Sequence, residues 1–198
     1  MSEMDWMTRW QRVARRIRVP LGFVAAALYL VSLYRQRPEL KWMLASVPFV
    51  VAGVLMRSYA AGYVKKNREL TRTGPYAHTR NPLYLGSILI AMGFALALEN
   101  VWFSLVLVVF FVVIYVPVIA SEERFLRATF AGFDDYCRQV PRLIPRVTAA
   151  EVPGGETGEP GRFSMELYRR HREYNSAIGA LLLYGSLGLA YFLHGIWQ

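Results

Sequence analysis

The sequence predicts an all-α, polytopic membrane protein with about five spanning helices and further amphipathic helices on the cytoplasmic side. Three observations carry this. Apolar residues make up 55% of the 198-residue chain, and a mean hydropathy of +0.26 exceeds that of an ordinary soluble domain. Five stretches approach the roughly 20 mostly apolar residues a spanning helix needs: Val19–Tyr34, Trp42–Val64, Leu83–Leu98, Val101–Ala120 and Ser176–Trp197. No alternating pattern suggests a barrel, and a bilayer offers no partner to unpaired backbone groups, so helices follow.

Residues 1–18 form a basic amphipathic segment, with Trp6, Trp10, Val13 and Ile17 at helical spacing and arginines between them. Residues 19–64 hold the first two spans, a hairpin turning around Arg35–Lys41. The first and third stretches are short and need their flanks or local bilayer thinning to cross. The third and fourth are joined at Glu99-Asn100, too tightly for anything but antiparallel neighbours. Phe125, Leu126, Phe130, Phe133 and Tyr136 keep helical spacing through Glu122–Gln139, so the fourth helix is expected to continue beyond the membrane. Residues 65–146 make a core around the middle two spans, and 147–162, rich in Gly, Pro and Glu, read as a flexible linker. Residues 163–198 begin with a basic amphipathic helix, Phe163–Tyr174, that leads into the last span.

Charge sets the expected topology. Nineteen of the 23 basic residues lie in 1–18, in the loop before the third span, or in the segment after the fourth. These three regions alternate correctly for one membrane face, which the positive-inside rule makes cytoplasmic. The N-terminus is then inside and the C-terminus outside, in a membrane such as the inner membrane of a bacterium. The net charge of +9 reflects orientation and anionic lipid. The basic residues are spread over loops rather than gathered on a reader helix, which argues against a nucleic-acid partner. A lone Cys137 allows neither an internal disulfide nor a cysteine-based zinc site. His78, His171 and His194 lack ligand spacing, so no metal is expected.

The most informative stretch is Thr73–Gly86, TGPYAHTRNPLYLG. A Gly74-Pro75 turn leads through Tyr76 and Arg80 to Asn81-Pro82, then to Tyr84 and Gly86 at the mouth of an apolar run. Such polar and aromatic residues on a basic loop between spans suggest that something polar docks there. The stretch resembles the signature of the isoprenylcysteine carboxyl methyltransferase and phospholipid methyltransferase group of integral membrane enzymes. In that group an RHPxY turn and helix start, and a glutamate pair after the following span, hold S-adenosylmethionine. Here they correspond to Arg80-Asn81-Pro82-Leu83-Tyr84 and to Glu122-Glu123. The aromatic helix ending in VPRxIP corresponds to Phe130–Tyr136 followed by Val140-Pro141-Arg142-Leu143-Ile144-Pro145. The likeness runs from Gly62 to Pro145, with its elements in order. Asn81 stands where the motif has His.

The resemblance implies a cofactor site of Glu69, Leu70, Tyr76, Arg80, Asn81, Pro82, Leu83, Tyr84, Glu122 and Glu123, with Arg80, Glu122 and Glu123 closest to catalysis. These residue types suit the ligand. Tyr76 and Tyr84 can offer ring faces to a sulfonium and hydroxyls to a carboxylate. Arg80 can pair a carboxylate bidentately, and either glutamate can accept from an ammonium or a ribose. Backbone groups near Glu69 and Leu70 can reach adenine.

Plainer readings stand beside these. Asn81-Pro82 is an apt helix start, with Asn at the N-cap and Pro at N1. Glu123 is spaced to pair with Arg127 on a helix surface. Arg57, inside the second span, either snorkels or meets a polar head group of the substrate or the Glu122-Glu123 pair. Tyr59, Tyr63 and Phe110-Phe111 suit packing. The expected function is an S-adenosylmethionine-dependent membrane methyltransferase acting on a lipophilic acceptor. Carboxyl methylation of a prenylated thiol and N-methylation of an amino-lipid both fit, and a non-catalytic scaffold keeping the fold is the alternative of another class.

Overall fold

A computed structural model describes residues 24–65, 69–150 and 161–196. Among them every regular element is helical. The helices are α1 (Val24–Arg35), α2 (Leu40–Ala61), α3 (Pro82–Leu98), α4 (Val101–Phe110), α5 (Val116–Thr129), α6 (Phe133–Gln139), α7 (Met165–Arg170) and α8 (Tyr174–Ile196). A short 3-10 turn, Gly74–Ala77, precedes α3, and a π turn, Phe111–Tyr115, joins α4 to α5. Among the described residues three helices are long and apolar enough to cross a bilayer: Leu40–Ala61, the continuous Val101–Thr129, and Tyr174–Ile196. Helices α1 and α3 are apolar but shorter, as their sequence lengths predict. Large apolar side chains such as Leu44, Leu55, Val108 and Leu181 point outward. Their exposure suits a lipid surround, where burying apolar area gains about 25 cal/mol per Å² over water. The expected N-terminal amphipathic segment and most of the expected linker lie outside the described residues.

The described chain divides into two compact units. The first is drawn from residues up to Val50, from Ala91–Glu123, and from Leu182 onward. Its centre is aromatic. The Tyr29 ring lies 6.2 Å from both Phe94 and Phe103, and its hydroxyl donates to the Leu183 carbonyl at 2.8 Å. Tyr184 donates to the Met43 carbonyl at 2.8 Å, which satisfies a polar tip among apolar neighbours. The α3–α4 connection is as short as expected, and Asn100 explains its sharpness. Its Oδ1 accepts from the backbone N–H groups of Trp102 and Phe103, at 3.0 and 3.1 Å, capping α4. Its Nδ2 donates to Ser32 and Gln36, tying in the end of α1.

The second unit comprises Val51–Ile90 and Arg124–Leu181. Here α2 and α3 cross closely at two glycines. A Cβ on Gly53 would sit 2.5 Å from the Gly86 carbonyl, and one on Gly86 would sit 2.7 Å from the Gly53 carbonyl. Any side chain at either position would push the helices apart. Below the crossing, α2 ends at Ala61, and Ser164 donates its N–H to the Gly62 carbonyl at 2.8 Å. The Phe163 ring covers Gly62 and lies parallel to Tyr59 at 6.2 Å. The tyrosines of this region therefore serve packing.

Two expectations for this unit are corrected. The fourth helix does not run to Gln139. It stops at Thr129 and the chain turns through Gly132, whose φ of 79° favours glycine, before α6 begins. The break lets Phe130, Phe133, Tyr136 and Val140 share one buried cluster with Leu70 and Ala150. A straight helix would spread those side chains along its axis. Likewise Phe163–Tyr174 is not one helix, since α7 ends at Arg170 and Arg172 has a φ of 53°.

Candidate functional site

The Tyr76–Tyr84 stretch is held from below by the segment that follows α6. Arg80 donates its backbone N–H to the Pro141 carbonyl at 2.9 Å, and the Asn81 side-chain amide donates to the Arg142 carbonyl at 2.9 Å. Thr79, fully buried, donates to the Leu143 carbonyl at 3.1 Å. His78 and Arg146 bond reciprocally, with His78 Nδ1 at 2.9 Å from the Arg146 carbonyl and the Arg146 N–H at 3.0 Å from the His78 carbonyl. Ala150 donates to the Ala77 carbonyl at 2.9 Å. Two motifs about 60 residues apart in sequence are thus laced together, with the later one contributing only backbone groups. The role of Val140–Pro145 is to fix the turn's shape, because backbone carbonyls need no particular side chain to accept.

Tyr136 closes the lacing from the α6 side. It is buried, and its hydroxyl donates to the Tyr76 carbonyl at 2.7 Å. Burial pushes this hydroxyl well above the usual tyrosine range, while the nearby Arg80 and Arg72 charges pull the other way. Arg80 sends one guanidinium nitrogen to the Cys137 sulfur. The sequence reading did not single out Arg72. Its Nη2 makes a long 3.4 Å bond to the Ala131 carbonyl, and its Nε is buried with no hydrogen-bond partner. A second cation beside Tyr136 marks this corner as electropositive.

Pro82 is the first residue of α3, as its missing N–H and fixed φ predict. Leu83 and Tyr84 follow on the first turn, half-buried, while Tyr76 is buried in the 3-10 turn. Glu69 is half-buried and pairs with Lys65 at 2.9 Å, and Leu70 belongs to the buried cluster. The second unit therefore gathers Glu69, Leu70, Tyr76, Arg80, Asn81, Pro82, Leu83 and Tyr84. Glu122 and Glu123 belong to the first unit, on α5. Glu122 is exposed and Glu123 is buried, 6% accessible. Among the described residues no group of His, Cys, Asp and Glu is placed to hold a metal.

Arg57 lies in a network absent from the sequence reading. Its Nη2 is 2.8 Å from Glu173 Oε2 and 3.1 Å from Oε1, and its Nε also reaches Oε2 at 3.1 Å. Ser176, the Leu83 carbonyl and Ser87 accept from the same guanidinium. Arg57 thus joins α2 to the first turn of α3 and to the entry of α8. No periodicity marks Glu173 in the sequence, where it sits among the charges of His171–Glu173.

Three helices able to cross a bilayer, with an arginine- and tyrosine-bearing turn laced onto the segment after α6, make this an integral membrane protein of the all-α class. The phospholipid methyltransferase family matches residues 40–132. The nickel-cobalt-cadmium resistance protein NccN of Alcaligenes xylosoxydans xylosoxydans is 31% identical over 142 residues, covering 67% of this chain and 67% of that protein. The cobalt-zinc-cadmium resistance protein CzcN of Cupriavidus metallidurans is 35% identical over 94 residues, covering 46% of this chain and 44% of that protein. No solved structure matches. The chain belongs to the phospholipid methyltransferase family, the group of integral membrane methyltransferases to which its Arg80–Tyr84 motif pointed.

Proposed function

We propose that the chain is a membrane methyltransferase that takes its methyl group from S-adenosylmethionine and gives it to a lipophilic acceptor. The observation that carries this reading is the lacing of the Tyr76–Tyr84 turn onto Pro141–Arg146, which presets a polar, cationic surface at a membrane helix start. The residue chemistry fits the cofactor. Arg80, in a corner that also holds the buried Arg72 Nε, suits the carboxylate of its amino-acid end. The rings and hydroxyls of Tyr76 and Tyr84 suit its sulfonium and polar groups. Backbone groups at Glu69 and Leu70 suit adenine. Asn81, Pro82 and Leu83 hold the turn and the first turn of α3. Glu122 or Glu123 enters on the family likeness, as the acceptor for the ammonium or ribose.

When bound, S-adenosylmethionine supplies an electrophilic methyl on a positively charged sulfur. The chain's own work is then alignment and the exclusion of water. Such positioning can account for roughly 7–11 kcal/mol of a displacement barrier. No strong base is required of Asn81 when the acceptor is a carboxylate or a neutral amine. The acceptor enters sideways from the bilayer. It is a prenylated thiol-type carboxylate or, alternatively, the amine of an amino-lipid. In this reading Arg57 meets the acceptor's head group by exchanging one of its Glu173 contacts. The cofactor side faces the cytoplasm with the N-terminus, and the C-terminus lies outside.

Calorimetry of the detergent-solubilised chain tests the cofactor. The expected result is micromolar-range binding of S-adenosylhomocysteine, weakened in Arg80→Ala. A folded protein giving neither heat nor thermal shift would overturn the reading. The names of the two relatives favour a second reading, a membrane component of metal resistance that keeps the fold without catalysis. Unchanged metal tolerance on expression, together with cofactor binding, would count against it.

A further inference from the structure

The π turn Phe111–Tyr115 lies in the middle of a spanning helix, where such turns are rare and often functional. Its hydrogen bond is explicit: the Val116 N–H reaches the Phe111 carbonyl, five residues back. Pro117 accounts for its place, since a residue without an N–H already breaks the ladder there. The turn changes which residues of the lower helix face inward. Phe103 and Ile114 are both buried and lie eleven positions apart, about three helical turns. Below the π turn the buried residues are Ile119 and Glu123. At about 100° per residue, an unbroken α-helix would put Ile119 about 140° and Glu123 about 180° from Ile114, on the opposite side. Taking up one extra residue turns the lower helix back by about 100° and brings both within about 80° of Ile114. In the unbroken helix, Glu122 would hold the place that Glu123 holds now.

We propose that the π turn is a positioning element that turns Glu123 inward and leaves Glu122 outside, so that Glu123 alone of the pair serves the ligand. The ligand part rests on the cofactor reading above; the register part does not. The register makes an asymmetric demand. Deleting Val112 or Val113 converts the π turn to plain α-helix and leaves the lower face unrotated. Adding one alanine after Val112 gives the helix a second surplus residue, which it can absorb only by turning Glu123 away.

The test uses the full chain in membrane vesicles with Cys137→Ser. Single cysteines at 122 and at 123 are labelled with a polar maleimide. The expected result is labelling at 122 and protection at 123, unchanged by deleting Val112 or, should that variant not insert, Val113. The insertion is expected to make position 123 label. Equal labelling of the two positions, a deletion that exposes 123, or an insertion without effect would each overturn the register. S-adenosylhomocysteine affinity, measured separately, is expected to fall roughly tenfold or more in Glu123→Gln and to stay near wild type in Glu122→Gln. The reverse order would overturn the assignment of Glu123. If the unaltered chain does not bind this ligand, the cofactor reading and the assignment of Glu123 both fall, and the labelling pattern still decides the register.

Discussion

Arg57 and Glu173, 116 residues apart, meet in a two-armed ion pair with N–O distances of 2.8 and 3.1 Å. Their side chains are only 23% and 14% exposed. Leaving one charge without its partner in such a place is costly. Removing one partner of a buried pair costs about 3–5 kcal/mol, and the residual exposure puts this case at the lower end. Arg57→Ala and Glu173→Ala are therefore expected to lower the melting temperature in detergent sharply. The double change of both residues to Met is expected to recover most of the loss. Single variants with wild-type melting would mean that the pair does not hold α8 to α2.

Asn81 is buried and spends its amide N–H on the Arg142 carbonyl. Asn81→Ala removes that bond, and with any cap it provides the expected loss is about 1–2 kcal/mol by thermal unfolding. Asn81→His separates a shape-keeping residue from a missing base. The expected outcome is an unchanged or reduced methyl-transfer rate with no new pH dependence. A large gain in rate with a transition near pH 6.5, the ordinary histidine value of about 6.5, would show that a base was wanted.

Tyr136 gives a pH signature. Tyr136→Phe removes the hydroxyl's bond to the Tyr76 carbonyl and is expected to cost about 1 kcal/mol at neutral pH. Burial raises the folded-state pKa of this hydroxyl above the unfolded value of about 10. Below that value both states keep the proton and stability is flat. Above it the unfolded chain loses its proton first, so stability falls as pH rises toward the folded value. The Phe variant lacks this loss. The stability gap between the two proteins is expected to narrow above about pH 10; a constant gap would show that the hydroxyl is not held neutral by the fold.

The basic-residue distribution predicts that positions 65 and 128 face one side of the membrane and position 99 the other. Single cysteines at these exposed sites, without Cys137, allow labelling from each side of sealed vesicles. Labelling of 65 and 128 from opposite sides would contradict the topology.

The spanning helices were legible because apolar run length is a strong, local signal. So was the start of α3, where Pro82 has a specific place. The Arg80–Tyr84 and Val140–Pro145 motifs were legible as a likeness but their pairing was not, since Val140–Pro145 contributes only backbone carbonyls, which leave little trace in residue type. The break before α6 was hidden because Phe130, Phe133 and Tyr136 keep helical spacing across it, and only Gly132 hints at the turn. Glu173 gave no sign because its partner is 116 residues away. The π turn left one clue, Pro117, in a stretch too uniformly apolar to show a change of face.

In the proposed function this chain moves a methyl group from S-adenosylmethionine to a lipophilic acceptor. The most direct test is mass spectrometry of lipids from membranes given S-adenosylmethionine with a deuterated methyl group, with the chain, without it, and with Arg80→Ala. The expected result is a lipid-fraction species heavier by one labelled methyl that depends on the chain and is lost in the variant. Well-inserted protein that leaves the labelled species unchanged in both lipid and prenylated fractions would contradict it.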